Sequence, residues 1–122
     1  MTSESDIQQL IRIRASELGM RIWRNNVGAG RLENGAFMRW GLANDSAQLN
    51  TVIKSADLIG IKPVLITADM VGQTIGQFVS LEVKHSTWKN RNTEREKAQI
   101  KWRDLILSLG GVAQIINNPE DL

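Results

Sequence analysis

The chain has 122 residues, 42% of them hydrophobic, with a net charge of +2 and a pI near 9.3, which fits one domain over residues 1–122 with a modest core. Cysteine is absent and His85 is the sole histidine, so disulfides, thiolate chemistry and an imidazole zinc cluster are excluded, and any metal must rest on oxygen ligands. No basic leader or membrane-length apolar run is seen, so the expected location is cytoplasmic with no membrane partner, while the basic balance allows an anionic one.

Ser3-Glu4-Ser5-Asp6 offers a capping hydroxyl with an acid three residues on, and Ile7, Leu10, Ile11 and Leu18 follow at helical spacing until Gly19 stops the helix. Glu4 falls in the first turn, where an acid complements the helix dipole. Met20 to Arg24 alternates as a strand does. Asn25 to Gly35 reads as a loop rich in Gly and Asn, able to approach a phosphate closely. Its Gly28-Ala29-Gly30 is no dinucleotide fingerprint, because Glu33 stands in place of the third glycine and another strand candidate, Ala36 to Trp40, follows instead of a helix. Gly41 to Ser55 is polar enough for a surface connection.

Asp57 stands at the mouth of a strand formed by Leu58-Ile59-Gly60-Ile61; Lys62-Pro63 breaks it, Val64-Leu65-Ile66 resumes it, and Thr67 can cap a short helical turn through Gly72. Phe78 to His85 is the next strand. It carries two ionisable groups in a run that otherwise reads as a buried strand: Glu82 and Lys84 share one face, and Leu81 and Val83 point into the other. A carboxylate and an ammonium on a core strand are costly to desolvate, which a mutual ion pair or a bound metal and substrate must offset. The short connection between the Asp57 and Glu82 strands predicts hairpin-like neighbours, bringing both acids to one cation.

Ser86 to Asn92 is a polar, basic loop, and Thr93-Glu94-Arg95-Glu96 forms a capping box for a helix whose apolar stripe is Ala98, Trp102, Leu105, Ile106 and Leu109. From Lys84 to Arg103 there are seven Lys or Arg residues against two Glu. Trp88, inside the basic loop, can stack on a base or pack on the protein. Gln99, one residue off the stripe, can reach toward the end of the Glu82 strand. Gly110-Gly111 ends the helix, Val112 to Ile116 is a last strand, and residues 117–122 are a polar tail.

Taken in order, an acid in the first helix, Ser-Ala-Asp-Leu-Ile-Gly, Leu-Glu-Val-Lys, and Gln-x-x-Trp followed by Gly-Gly resemble the PD-(D/E)xK nuclease superfamily, and within it the stand-alone virus-type replication-repair nuclease (VRR-NUC) domains of phages and bacteria. The resemblance runs over almost the whole chain and implies an α/β fold, a mixed central sheet flanked by helices with a restriction-endonuclease-like core. It implies Mg²⁺, with Mn²⁺ able to substitute, on Asp57, Glu82 and the Val83 carbonyl. It places the motif lysine on Lys84, the glutamine on Gln99 and the first-helix acid on Glu4. Ala56 replaces the usual proline before the aspartate. The implied activity is hydrolysis of phosphodiester bonds in branched DNA, Holliday junctions above all, by a homodimer serving DNA repair or a related process. Asn25, Asn26, Arg31, Trp88, Lys89, Arg91 and Arg95 are the expected DNA contacts. The alternative from the residues alone is a non-catalytic DNA-binding module with a structural Glu82–Lys84 pair.

Overall fold

Three capped helices and a set of short strands divide the chain between them in the computed structural model, which describes residues 3–122. In order these are α1 (Glu4–Glu17), β1 (Arg21–Arg24), β2 (Gly28–Arg31), β3 (Phe37–Trp40), a short helix α2 (Ala47–Val52), β4 (Leu58–Ile61), a 3₁₀ turn (Ala68–Met70), β5 (Val79–Val83), α3 (Glu94–Ser108), β6 (Val112–Ile116) and a second 3₁₀ turn (Pro119–Asp121). Residues 1–60 and 61–122 make two compact units. The fold is mixed α/β, and no helix among the described residues is long and apolar enough to cross a membrane.

In the first unit, Ser3 caps α1 by accepting from the Asp6 amide, and Glu4 and Asp6 sit at the positive end of the dipole. The helix buries only Ala15 and leaves Ile7, Leu10, Ile11 and Leu18 exposed, so its expected apolar stripe is uncovered. The stretch expected to be a loop is instead a hairpin: β2 pairs antiparallel with β3 in the register Gly28↔Trp40 to Arg31↔Phe37. Glycine is required at position 28, where the Trp40 ring lies against the backbone and a Cβ would collide with it. The Gly41 to Ser55 connection also contains α2, capped by Ser46, which its lack of a long apolar period concealed. β4 pairs with β1, and Gly60 is pressed so closely on the Arg21 carbonyl and Ile22 Cα that a side chain has no room.

In the second unit, β5 and β6 run parallel with α3 as the crossover between them, Val79↔Val112 through Val83↔Ile116. Ile106 of α3 is fully buried and Ala113 of β6 nearly so; burying the Ile106 side chain contributes on the order of 1.5–3 kcal/mol. Gly111 gives the turn its closeness, with Ile106 Cγ2 only 2.7 Å from where a Cβ would lie.

Three expectations are corrected. The described strands form three two-stranded ladders, β1–β4, β2–β3 and β5–β6, instead of one mixed central sheet, and the Asp57 and Glu82 strands are not a hairpin pair. Val64-Leu65-Ile66 does not resume a strand: Pro63 removes a ladder donor, and these residues are in irregular, exposed backbone. Finally, β5 is not a buried strand: α3 packs on the side of Ser80, Glu82 and Lys84 only, leaving Leu81 40% and Val83 73% exposed.

Candidate functional site

The polar face of β5 meets α3 through a continuous set of hydrogen bonds. Gln99 Nε2 donates to Glu82 Oε1 at 2.9 Å, and Lys84 Nζ donates to Gln99 Oε1 at 2.7 Å. The Lys84 ammonium is 3.5 Å from Glu82 Oε1, and its side chain is 14% exposed against 42% for Glu82. One turn further along α3, Trp102 Nε1 donates to Ser80 Oγ at 2.8 Å, so Ser80 and Glu82, two apart on the strand, are held by residues three apart on the helix. Glu82 thus has one carboxylate oxygen engaged, and among the described residues no hydrogen bond claims the other. Ser80, Glu82, Arg95, Gln99 and Trp102 line a cavity of about 350 Å³.

Lys84 is held from a second side. Its Nζ lies 5.5 Å from the centre of the Trp88 ring, a cation–π contact, and the Trp88 indole N–H donates to Glu96 Oε2 at 3.1 Å. Glu96 is buried at 8% exposure and closes the capping box, its carboxylate also accepting from the Thr93 and Arg91 amides. Hydrogen bonds from Thr93 above all, then from Arg91 and Trp88, hold the Glu96 carboxyl below its ordinary value against the opposing effect of burial. One face of Trp88 is therefore already engaged by the protein. The capping box was visible in the sequence; that its acid also anchors the tryptophan was not, since nothing in the spacing of Trp88 and Glu96 indicates an indole turned back onto the helix start.

Asp57 belongs to the first unit, exposed at the foot of β4. Its carbonyl accepts from the Asn25 amide at 2.8 Å, while Asn25 Nδ2 donates to Ser55 Oγ at 2.8 Å and to the Ala56 carbonyl at 2.9 Å. Asn25 Oδ1 accepts from the Leu42 amide at 3.3 Å. Asn25, expected as a DNA contact, thus braces the three residues leading into β4 and fixes the backbone that carries Asp57. Glu4 is exposed in the first turn of α1 and makes no hydrogen bond or ion pair among the described residues.

The remaining expected contacts are distributed over both units. Asn26 is exposed beside β2, Arg31 donates to the Gly35 carbonyl at 3.2 Å, Lys89 and Arg91 are exposed in the loop before α3, and Arg95 is exposed on its first turn. Among the described residues, no three of His, Asp and Glu are gathered into a metal cluster. Sequence reasoning passed over Asn44, buried at 3% exposure, and Arg39, which donates to it at 2.8 Å. Comparison with family models, curated proteins and solved structures returned no match.

Proposed function

We propose that the chain is a Mg²⁺-dependent, structure-selective DNA endonuclease of the VRR-NUC type, acting on branched DNA such as four-way junctions. The observation that supports it most is the Gln99 bridge: one amide orients a carboxylate and an ammonium side by side at a cavity, with the second carboxylate oxygen of Glu82 left open. Oxygen donors alone suit a hard cation, and the ligands in this reading are Asp57, Glu82 and the Val83 carbonyl. Such a cation, when bound, supplies positive charge to the scissile phosphate and makes a water more acidic.

The chain's own residues do the rest. Gln99 keeps Glu82 from collapsing fully onto Lys84, Lys84 orients the attacking water and offsets charge developing on the phosphate, and Arg95 at the same cavity draws the backbone in. Glu4 enters as the acid of the first helix. The products of this chemistry carry a 5′-phosphate and a 3′-hydroxyl. Two cuts on a junction call for a two-fold homodimer, to which the exposed Val64, Leu65, Ile66, Val71 and Ile75 can offer apolar side chains.

The second reading, a DNA-binding module, draws on the 3.5 Å Glu82–Lys84 pair, which by itself is an ordinary ion pair. Incubation with a labelled four-way junction, a flap and a plain duplex, in Mg²⁺ and in EDTA, separates the two. Metal-dependent paired nicks on the junction, abolished by Asp57→Ala and by Glu82→Gln with the melting temperature retained, support the nuclease. Binding without cleavage in Mg²⁺ and in Mn²⁺ establishes the module instead.

A further inference from the structure

The first unit contains a second polar cavity, about 450 Å³, with Arg39, Lys54, Asn44, Asn50 and Ser55 around it and the Gly28 backbone at its edge. Two cations line it and no carboxylate does; Asp45, next to Asn44 in the chain, is not part of the wall. A pair of cations facing one cavity repel each other unless an anion or ion-pairing acids intervene. Here both ammonium and guanidinium rest on neutral amides: Lys54 Nζ donates to Asn50 Oδ1 at 2.6 Å and Arg39 Nη1 to Asn44 Oδ1 at 2.8 Å, and neither is in an ion pair among the described residues.

The wall is fixed in place. Asn44 is buried at 3% exposure, and its Nδ2 donates to the Gly28 carbonyl at 2.7 Å and the Trp40 carbonyl at 2.9 Å, so its oxygen can only face Arg39. Arg39 also lies over the Phe37 ring, its Cζ 5.6 Å from the ring centre. Ser55 Oγ donates to the Leu42 carbonyl at 2.7 Å, closing the margin. Most of the guanidinium and ammonium donors remain unused, which is the donor-rich, acid-free arrangement that a phosphate satisfies.

We propose that this cavity binds a phosphate group, and that in the working protein the phosphate belongs to the backbone of the DNA. The second half rests on the nuclease reading; the first does not. Because Ser55 lies two residues before Asp57, a phosphate seated here fixes the strand beside the Asp57 loop.

The test is a titration of the 122-residue chain with inorganic phosphate, followed through the side-chain amide resonances of Asn44 and Asn50, beside fluorescence-anisotropy binding of a junction across a salt series in EDTA. Saturable phosphate shifts, lost in Arg39→Gln and weakened in Lys54→Gln, whose exposed position spares the fold, are the expected result. In the DNA arm, Lys54→Gln should lower the slope of log affinity against log salt by about one. Shifts that never saturate, or that chloride reproduces at equal ionic strength, overturn the phosphate site. Saturable phosphate binding with an unchanged DNA salt slope overturns the DNA source and leaves a site for free phosphate. A wild-type chain that binds no DNA at any salt removes the nuclease reading, while the phosphate titration is decided on its own result.

Discussion

The Gln99 amide oxygen sits 2.7 Å from the Lys84 ammonium, nearer than the 3.5 Å that separates this ammonium from Glu82, so the lysine is held first by a neutral group and only second by the acid. Replacing Gln99 with leucine removes the spacer and lets the two charges close on each other. Single-turnover cleavage should fall about tenfold or more while the melting temperature moves by only a few degrees, because a half-exposed ion pair contributes little to stability. Gln99→Glu should lose as much activity by facing one carboxylate with another. Wild-type rates in both variants would show that the bridge has no part in turnover.

Lys84 and Trp88 make a paired prediction. Lys84→Met keeps the stem and removes the charge, so DNA and Mg²⁺ binding should persist as single-turnover cleavage is lost. Trp88→Phe retains a ring under the ammonium but drops the hydrogen bond to Glu96, and Trp88→Leu drops both. Activity should therefore fall in the order wild type, Phe, Leu at saturating DNA. Equal loss of DNA affinity in Phe and Leu, with turnover intact, would instead make Trp88 a base-stacking residue.

Acid should loosen the start of α3. The folded value of Glu96 lies below its ordinary 4.5, so its stabilising contribution is complete above that pH and is lost as pH falls through the depressed folded value. Asp69 shifts in the same direction, through its hydrogen bond from Thr67 first, and adds to the acid sensitivity of this unit. Melting curves between pH 6 and pH 3, bounds of about one to two units either side of the ordinary carboxylate range, should show a fall that Glu96→Gln flattens. Thr93→Ala, which removes the cap itself, should cost about 1 kcal/mol at neutral pH.

Gly60→Ala tests the β1–β4 ladder. A methyl group there runs into the Arg21 carbonyl, and relief requires the strands to part. The cost should be on the order of 1–3 kcal/mol, seen as a lowered urea midpoint, and cleavage should suffer because Asp57 stands at the foot of the same strand. An unperturbed midpoint would mean that the two strands separate without penalty.

Local chemistry was legible in the sequence wherever one residue announces its own role. Ser3 and Thr93 are caps with acids three residues on, Gly19 and Gly110 adopt left-handed φ of 80° and 91° after their helices, and Gln99 does reach Glu82. What failed was decided by distant partners that no local pattern announces. Gly28-Ala29-Gly30 has almost no side chains to show a period of two, and becomes a strand because β3 and the Trp40 ring cover it. β5 reads as a buried strand from its run of Leu and Val, but the helix that packs on it carries Gln99 and Trp102, whose donors suit Glu82 and Ser80, and covers that face alone. Asn25 was read by its loop position alone, and no pattern near it indicates that Ser55 and Ala56, thirty residues on, would take up its amide.

The parallel pairing of β5 with β6 also sets an order of assembly. Every side chain of the Glu82–Lys84–Gln99 bridge precedes Val112, yet β5, which carries Glu82 and leads into Lys84, finds its hydrogen-bonding neighbour only in Val112–Ile116. During synthesis a nascent chain that has reached Gly110 already holds all the groups of the bridge, but the ladder that sets their spacing has not formed. A polypeptide stopped there should therefore be inert although nothing reactive is missing, and supplying a peptide of residues 111–122 in trans should restore the bridge by completing the ladder.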